Sequence, residues 1–108
     1  MATARDLRRI CLSLPGTIEV PHVDRAAFKV HRIYATLAPD QKSANLKFTL
    51  DEQALKCLTA PDVFTPVPGG WGKMGFTTIT LAKAPLTELR AALTTAHAHA
   101  ASKKPPRH

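Results

Sequence analysis

The chain predicts an α+β fold, a two-layer sandwich in which an antiparallel β-sheet carries the terminal helices packed on one face. Amphipathic helical periodicity occurs at both ends, over residues 3–14 and 85–100. Between 17 and 48, extended runs follow one another through turns too short for crossover helices, as an antiparallel meander requires. The remaining middle offers only a short helix and one further alternating strand. At 108 residues this is one domain of ordinary size, read as spanning 1–101, with 102–108 as a basic, disordered tail.

The first helix is justified by Leu7, Ile10, Cys11 and Leu14, which fall on one stripe at i, i+3, i+4 and i+7. Thr3 caps it with Asp6 three positions on, and Pro15-Gly16 ends it. Residues 17–23 start extended but contain Pro21, which suits an edge strand. Asp24-Arg25 reads as a turn. Ala27-Phe28-Lys29-Val30 then alternates, with Lys29 outward. His31-Arg32 links it to the run 33–38, and Pro39 to Lys42 make the next turn. In 43–48, Leu46 and Phe48 share one face and Lys47 the other.

A short helix begins at Thr49 or Asp51 and stops before Pro61, with Ala54, Leu55 and Leu58 as its expected apolar side. Pro66 to Leu81 holds four of the five glycines and the only tryptophan. It passes from Pro-Val-Pro through a glycine turn into a strand, with Phe76 on the parity opposite to Ile79 and Leu81. Pro85 opens the last helix, whose stripe is Leu86, Leu89, Leu93 and Ala96 or Ala100.

Taken together, Leu14-Pro15-Gly16, Glu19, Ala27-Phe28-Lys29-Val30, Ile33-Tyr34-Ala35, Leu46-Lys47, Trp71-Gly72-Lys73-Met74-Gly75-Phe76-Thr77 and Glu88-Leu89-Arg90 resemble the MmcQ/YjbR family in order and spacing. The resemblance covers nearly the whole chain. It implies a double-wing, CyaY-like fold and a DNA-binding role, and it brings no catalytic residues with it. Two departures stand out. Phe76 occupies a position where many members carry tryptophan, and Ala96-His97 replaces a small residue followed by an aromatic.

The charge is +7, with 15 Lys and Arg against 8 Asp and Glu, enough to attract a polyanion at low salt. Lys103, Lys104 and Arg107 contribute part of it from the tail. No apolar run is long enough to cross a membrane, and the N-terminus carries charge where a secretory leader carries an apolar stretch, so a cytoplasmic location is expected. Cys11 and Cys57 fit reduced core positions.

Gly70 to Gly75 satisfies G-x-G-x-x-G, but a Pro-Val-Pro segment precedes it and a strand follows, so no dinucleotide site is expected. His97 and His99 are two apart on a helix and point to different faces, which argues against a metal. Glu19 and Asp24 show no sign of an acid/base pair, and neither cysteine lies at a helix N-terminus. No catalytic residues, cofactor or metal are expected. Arg5, Arg8 and Arg9 read as a solvated helix face. Lys29, Lys47 and Lys73 are the stronger basic candidates, with Trp71 as a stacking surface. The expectation is a non-enzymatic module binding DNA with little sequence preference. The alternative is a domain that takes a small molecule or a protein partner in a cleft near Trp71.

Overall fold

The computed structural model describes residues 1–102. Helix α1 (Ala4–Ser13) opens the chain. Strands β1 (Ile18–His22), β2 (Arg25–Lys29), β3 (Ile33–Leu37) and β4 (Ser43–Lys47) follow. Then come α2 (Leu50–Thr59), β5 (Phe64–Pro66), the single-turn helix α3 (Gly70–Lys73) and β6 (Phe76–Thr80). A 3-10 turn over Leu81–Lys83 leads to α4 (Leu86–Ala101). The six strands form one sheet in the order β1-β2-β3-β4-β6-β5, and every neighbouring pair is antiparallel. The α+β sandwich expected from the sequence is the fold observed.

Local sequence explains most element ends. Thr3 and Asp6 form a full capping box on α1, and Thr49 and Glu52 form one on α2; such a cap is worth about 1 kcal/mol. Pro21 and Pro66 lie in β1 and β5, the two edge strands, where a missing N–H breaks no interior ladder. The apolar stripe of α1 is buried through Leu7, Ile10 and Cys11 against Leu89 and Leu93 of α4. Phe28, Ala35, Leu46, Thr77 and Ile79 supply the sheet side of this core.

A bulge shapes the middle of the sheet. Phe28 pairs with Ala35 and Lys29 with Ile33, which leaves Tyr34 without a cross-strand partner. Tyr34 and Ala35 are therefore both buried under the helices, and the Tyr34 hydroxyl reaches Thr17 Oγ1 at 2.9 Å. Ile33 and Thr36 are left on the opposite, open face.

Four local expectations are corrected. The apolar side assigned to α2 is its outer side: Leu55 is 61% exposed and Leu58 79% exposed. Gln53 faces inward instead, donating to the Gly72 and Phe76 carbonyls, while Lys56 lies over the Phe48 and Phe64 rings and pairs with Glu88 at 3.2 Å. These polar bonds set the rotation of the helix against its hydrophobic pattern. Leu86 is exposed at the start of α4, and Ala92 joins the buried stripe. The first hairpin turns at Val23-Asp24, so Arg25 is a strand residue paired with His22. The glycine turn contains the helical turn α3. The basic tail expected at 102–108 lies, from residue 103 on, outside the described residues.

Candidate nucleic-acid interface

Cross-strand register defines the face of the sheet that the helices leave open. Val20, Ala27, Thr36, Asn45, Thr78 and Thr65 stand in one row across it, paired in turn. A cleft of about 360 Å³ lies on this face. Thr36 and Asn45, from the central strands, line its middle. Ile33 and Val67 add apolar wall, Trp71 and Phe76 bound one end, and His22 and Arg25 the other. No acidic side chain is among these described residues.

The glycine-rich segment builds the aromatic end. Gly69 and Gly75 adopt φ of +79° and +103°, which favour glycine. A Cβ on Gly72 would sit 2.0 Å from the Val67 carbonyl oxygen, and one on Gly75 the same distance from that of Phe48. The G-x-G-x-x-G pattern thus serves close packing of a tight turn onto the ends of β4 and β5. Gln53 Nε2 bonds the Gly72 carbonyl at 2.9 Å and the Phe76 carbonyl at 3.0 Å, holding the turn from behind. Trp71 is left 62% exposed, edge-to-face with Phe76 at 5.3 Å between centroids.

The residues singled out from sequence fall in several places. Lys29 is half-buried on the open face, its register partner Ile33 lining the cleft. Lys47 pairs with Phe76, and its Nζ donates to the Met74 carbonyl at 2.6 Å and lies 5.6 Å from the Phe76 centroid. It therefore secures the glycine turn. Trp71 is in the cleft, and Lys73 is exposed at the end of α3. Arg25 was missed. Val23 is β-branched yet adopts φ +59°, a left-handed turn position that its residue type disfavours, so sequence places the turn one residue late.

Four acidic side chains are held in ion pairs. Asp6, Glu19, Glu52 and Glu88 pair with Arg9, Arg8, His99 and Lys56 among the helices and the sheet edge. The Arg9 guanidinium, with the Thr3 backbone N–H, holds Asp6 below its usual pKa. Burial acts to raise Glu52, but hydrogen bonds from His99 and Thr49 outweigh it and leave the carboxyl lowered. Burial pushes the Cys11 thiol up to about 12, which leaves it without nucleophilic character at neutral pH. Both cysteines are free. His97 Nε2 donates to the Pro15 carbonyl at 2.7 Å and the ring sits edge-on to Tyr34, so this departure from the family pattern lies among the helices, away from the cleft. Among the described residues, no cluster of three or more His, Cys, Asp or Glu could hold a metal, and no helix is long and apolar enough to cross a membrane.

Comparison with known proteins agrees with this architecture. The crystal structure of Deinococcus radiodurans protein DR2400, which carries family domain DUF419, superposes with a TM-score of 0.75 at 26% identity. The match covers 89% of this chain and 76% of that one. No curated protein matches the sequence. The YjbR family model matches residues 12–99, from the end of α1 through nearly all of α4. The chain belongs to the YjbR family.

Proposed function

We propose that this protein is a cytoplasmic, non-enzymatic module that binds nucleic acid, with DNA as its partner, on the open face of the sheet. One observation carries the reading: an exposed aromatic corner shares a cleft with Arg25 and His22, and the described lining has no acid. Stacking of a base on Trp71 is tolerant of sequence and worth about 1–3 kcal/mol per base. Arg25, Lys29 and Lys73 offer cations to the phosphates, and Lys47 keeps one N–H beside its bonds to the Met74 and Phe48 carbonyls. A second reading, a small-molecule or protein-partner site, draws on the apolar walls of Ile33, Val67 and Phe76.

The test is a titration of Trp71 fluorescence with single-stranded and duplex DNA at two salt concentrations. We expect quenching, weaker affinity at higher salt and preference for the single strand. Lys29→Ala with Lys73→Ala should remove most of the affinity; Lys47 is avoided because it holds the turn. Removing residues 102–108 should lower the duplex log–log salt slope by about 3 at most, at about 0.9 per cation, and leave binding measurable. Loss of all binding on that truncation would make the tail the binder. Absence of binding in every form at low salt would leave the small-molecule or protein-partner reading.

A further inference from the structure

The polar groups in the cleft are mainly hydrogen-bond donors. Arg25 Nε donates to Thr36 Oγ1 at 2.9 Å and Nη2 to the Thr36 carbonyl at 3.2 Å. These bonds fix the guanidinium plane and leave hydrogens on Nη1 and Nη2 for another acceptor. Because Thr36 Oγ1 accepts from Arg25, its own proton is left to donate. Asn45 Oδ1 accepts from the Thr78 hydroxyl at 2.7 Å, which leaves both amide hydrogens to offer a ligand. The His22 ring can take either role, and Thr36 Oγ1 and Asn45 Oδ1 each keep one lone pair. Across the cleft from Arg25, past Thr36 and Asn45, stand the flat surfaces of Trp71 and Phe76.

Such a lining selects a planar ring whose edge carries acceptors. We propose that the cleft holds one guanine-type base by its O6/N7 edge, with Arg25 as the principal donor and Trp71 as the stacking partner. Guanine presents two acceptors on that edge, the pair an arginine fork matches; adenine presents N7 and an N6 amino group, which would meet a donor. Described acidic groups that would welcome that amino group are absent from the lining. This inference rests on the nucleic-acid reading and adds a preference at one nucleotide of an otherwise unselective strand. The same chemistry occurs in free guanine nucleotides, so the source is a matter for the test.

The experiment titrates Trp71 fluorescence in the full chain with guanosine, inosine, adenosine and 7-deazaguanosine monophosphates. In parallel it uses thymidine tracts bearing one central guanine or one central adenine. Guanosine and inosine monophosphates should bind alike, and the adenosine and 7-deaza compounds about tenfold more weakly. The guanine tract should exceed the adenine tract by a similar factor. Arg25→Lys, which keeps the charge and loses the fork, should erase this discrimination by lowering guanine-tract affinity to that of the adenine tract. Equal affinity for the guanosine, adenosine and 7-deaza compounds overturns the inference, whatever the variant does. Tracts that bind without guanine preference overturn it and leave the nucleic-acid reading standing. Discriminating nucleotide binding without any tract binding supports the pocket and removes the nucleic-acid reading. No binding by either class of probe removes both.

Discussion

Replacing Gln53 with alanine separates the support of the cleft from the cleft itself. Gln53 is 9% exposed, and its amide nitrogen makes two bonds, at 2.9 and 3.0 Å, to carbonyls on either side of the glycine turn. Each bond contributes about 0.5–1.5 kcal/mol net. The Gly72 carbonyl also accepts from the Gly75 N–H and the Phe76 carbonyl from the Val67 N–H, so neither is orphaned by the change. The expected loss is therefore about 2 kcal/mol, without a further penalty for an unsatisfied buried acceptor. Urea unfolding followed by far-UV circular dichroism measures it. Trp71 emission and anisotropy in the native state should also report a looser turn. Gln53→Glu sharpens the test, because an ionised carboxylate would face two carbonyl oxygens with nothing to donate. Its folded pKa would be raised, so this variant should gain stability as pH falls through that value. An unchanged midpoint for Gln53→Ala together with unchanged Trp71 anisotropy would refute the bracing role.

Three further outcomes follow from the same packing. Leu93, fully buried between α4 and the sheet, should cost about 2–5 kcal/mol when cut to alanine, read from the denaturant midpoint. Gly75→Ala forces a side chain onto φ +103° and a Cβ to 2.0 Å from the Phe48 carbonyl oxygen; it should destabilise by more than about 1–3 kcal/mol, with Trp71 emission shifted. Glu52→Gln keeps a capping side chain but loses the charge beside His99. Because the folded Glu52 pKa lies below 4.5, the wild-type advantage should be full above that pH and fade as pH falls below it; a constant difference across the acid limb would contradict this.

How much of this was legible in the sequence depended on how local each cause was. Thr3 with Asp6 and Thr49 with Glu52 carry their capping geometry within four residues. The alternation around Lys47 and Phe76 needs only the strand period to place both on one face. The rotation of α2 was hidden, because Leu55 and Leu58 promise a buried stripe that contacts from Gln53 to the glycine turn and from Lys56 to Glu88 override. Arg25 was hidden by a positive φ at a valine. The cleft brings residues from β1, β2, β3, β4 and β6 beside α3, and Tyr34's bulge puts Ile33 and Thr36 together in it. No single stretch of the chain contains that arrangement. Trp71 and Lys73 could be singled out beforehand because the glycines around them marked the turn.

The most direct measurement is a map of amide and indole chemical-shift changes as a short single-stranded oligonucleotide is added to isotope-labelled protein. The cleft account predicts changes concentrated at Arg25, Ile33, Thr36, Asn45 and Phe76 and at the Trp71 indole N–H, with the α1 and α4 amides still. Changes concentrated around Arg5, Arg9 and Arg90 on the helical layer, or none at low salt, would contradict it.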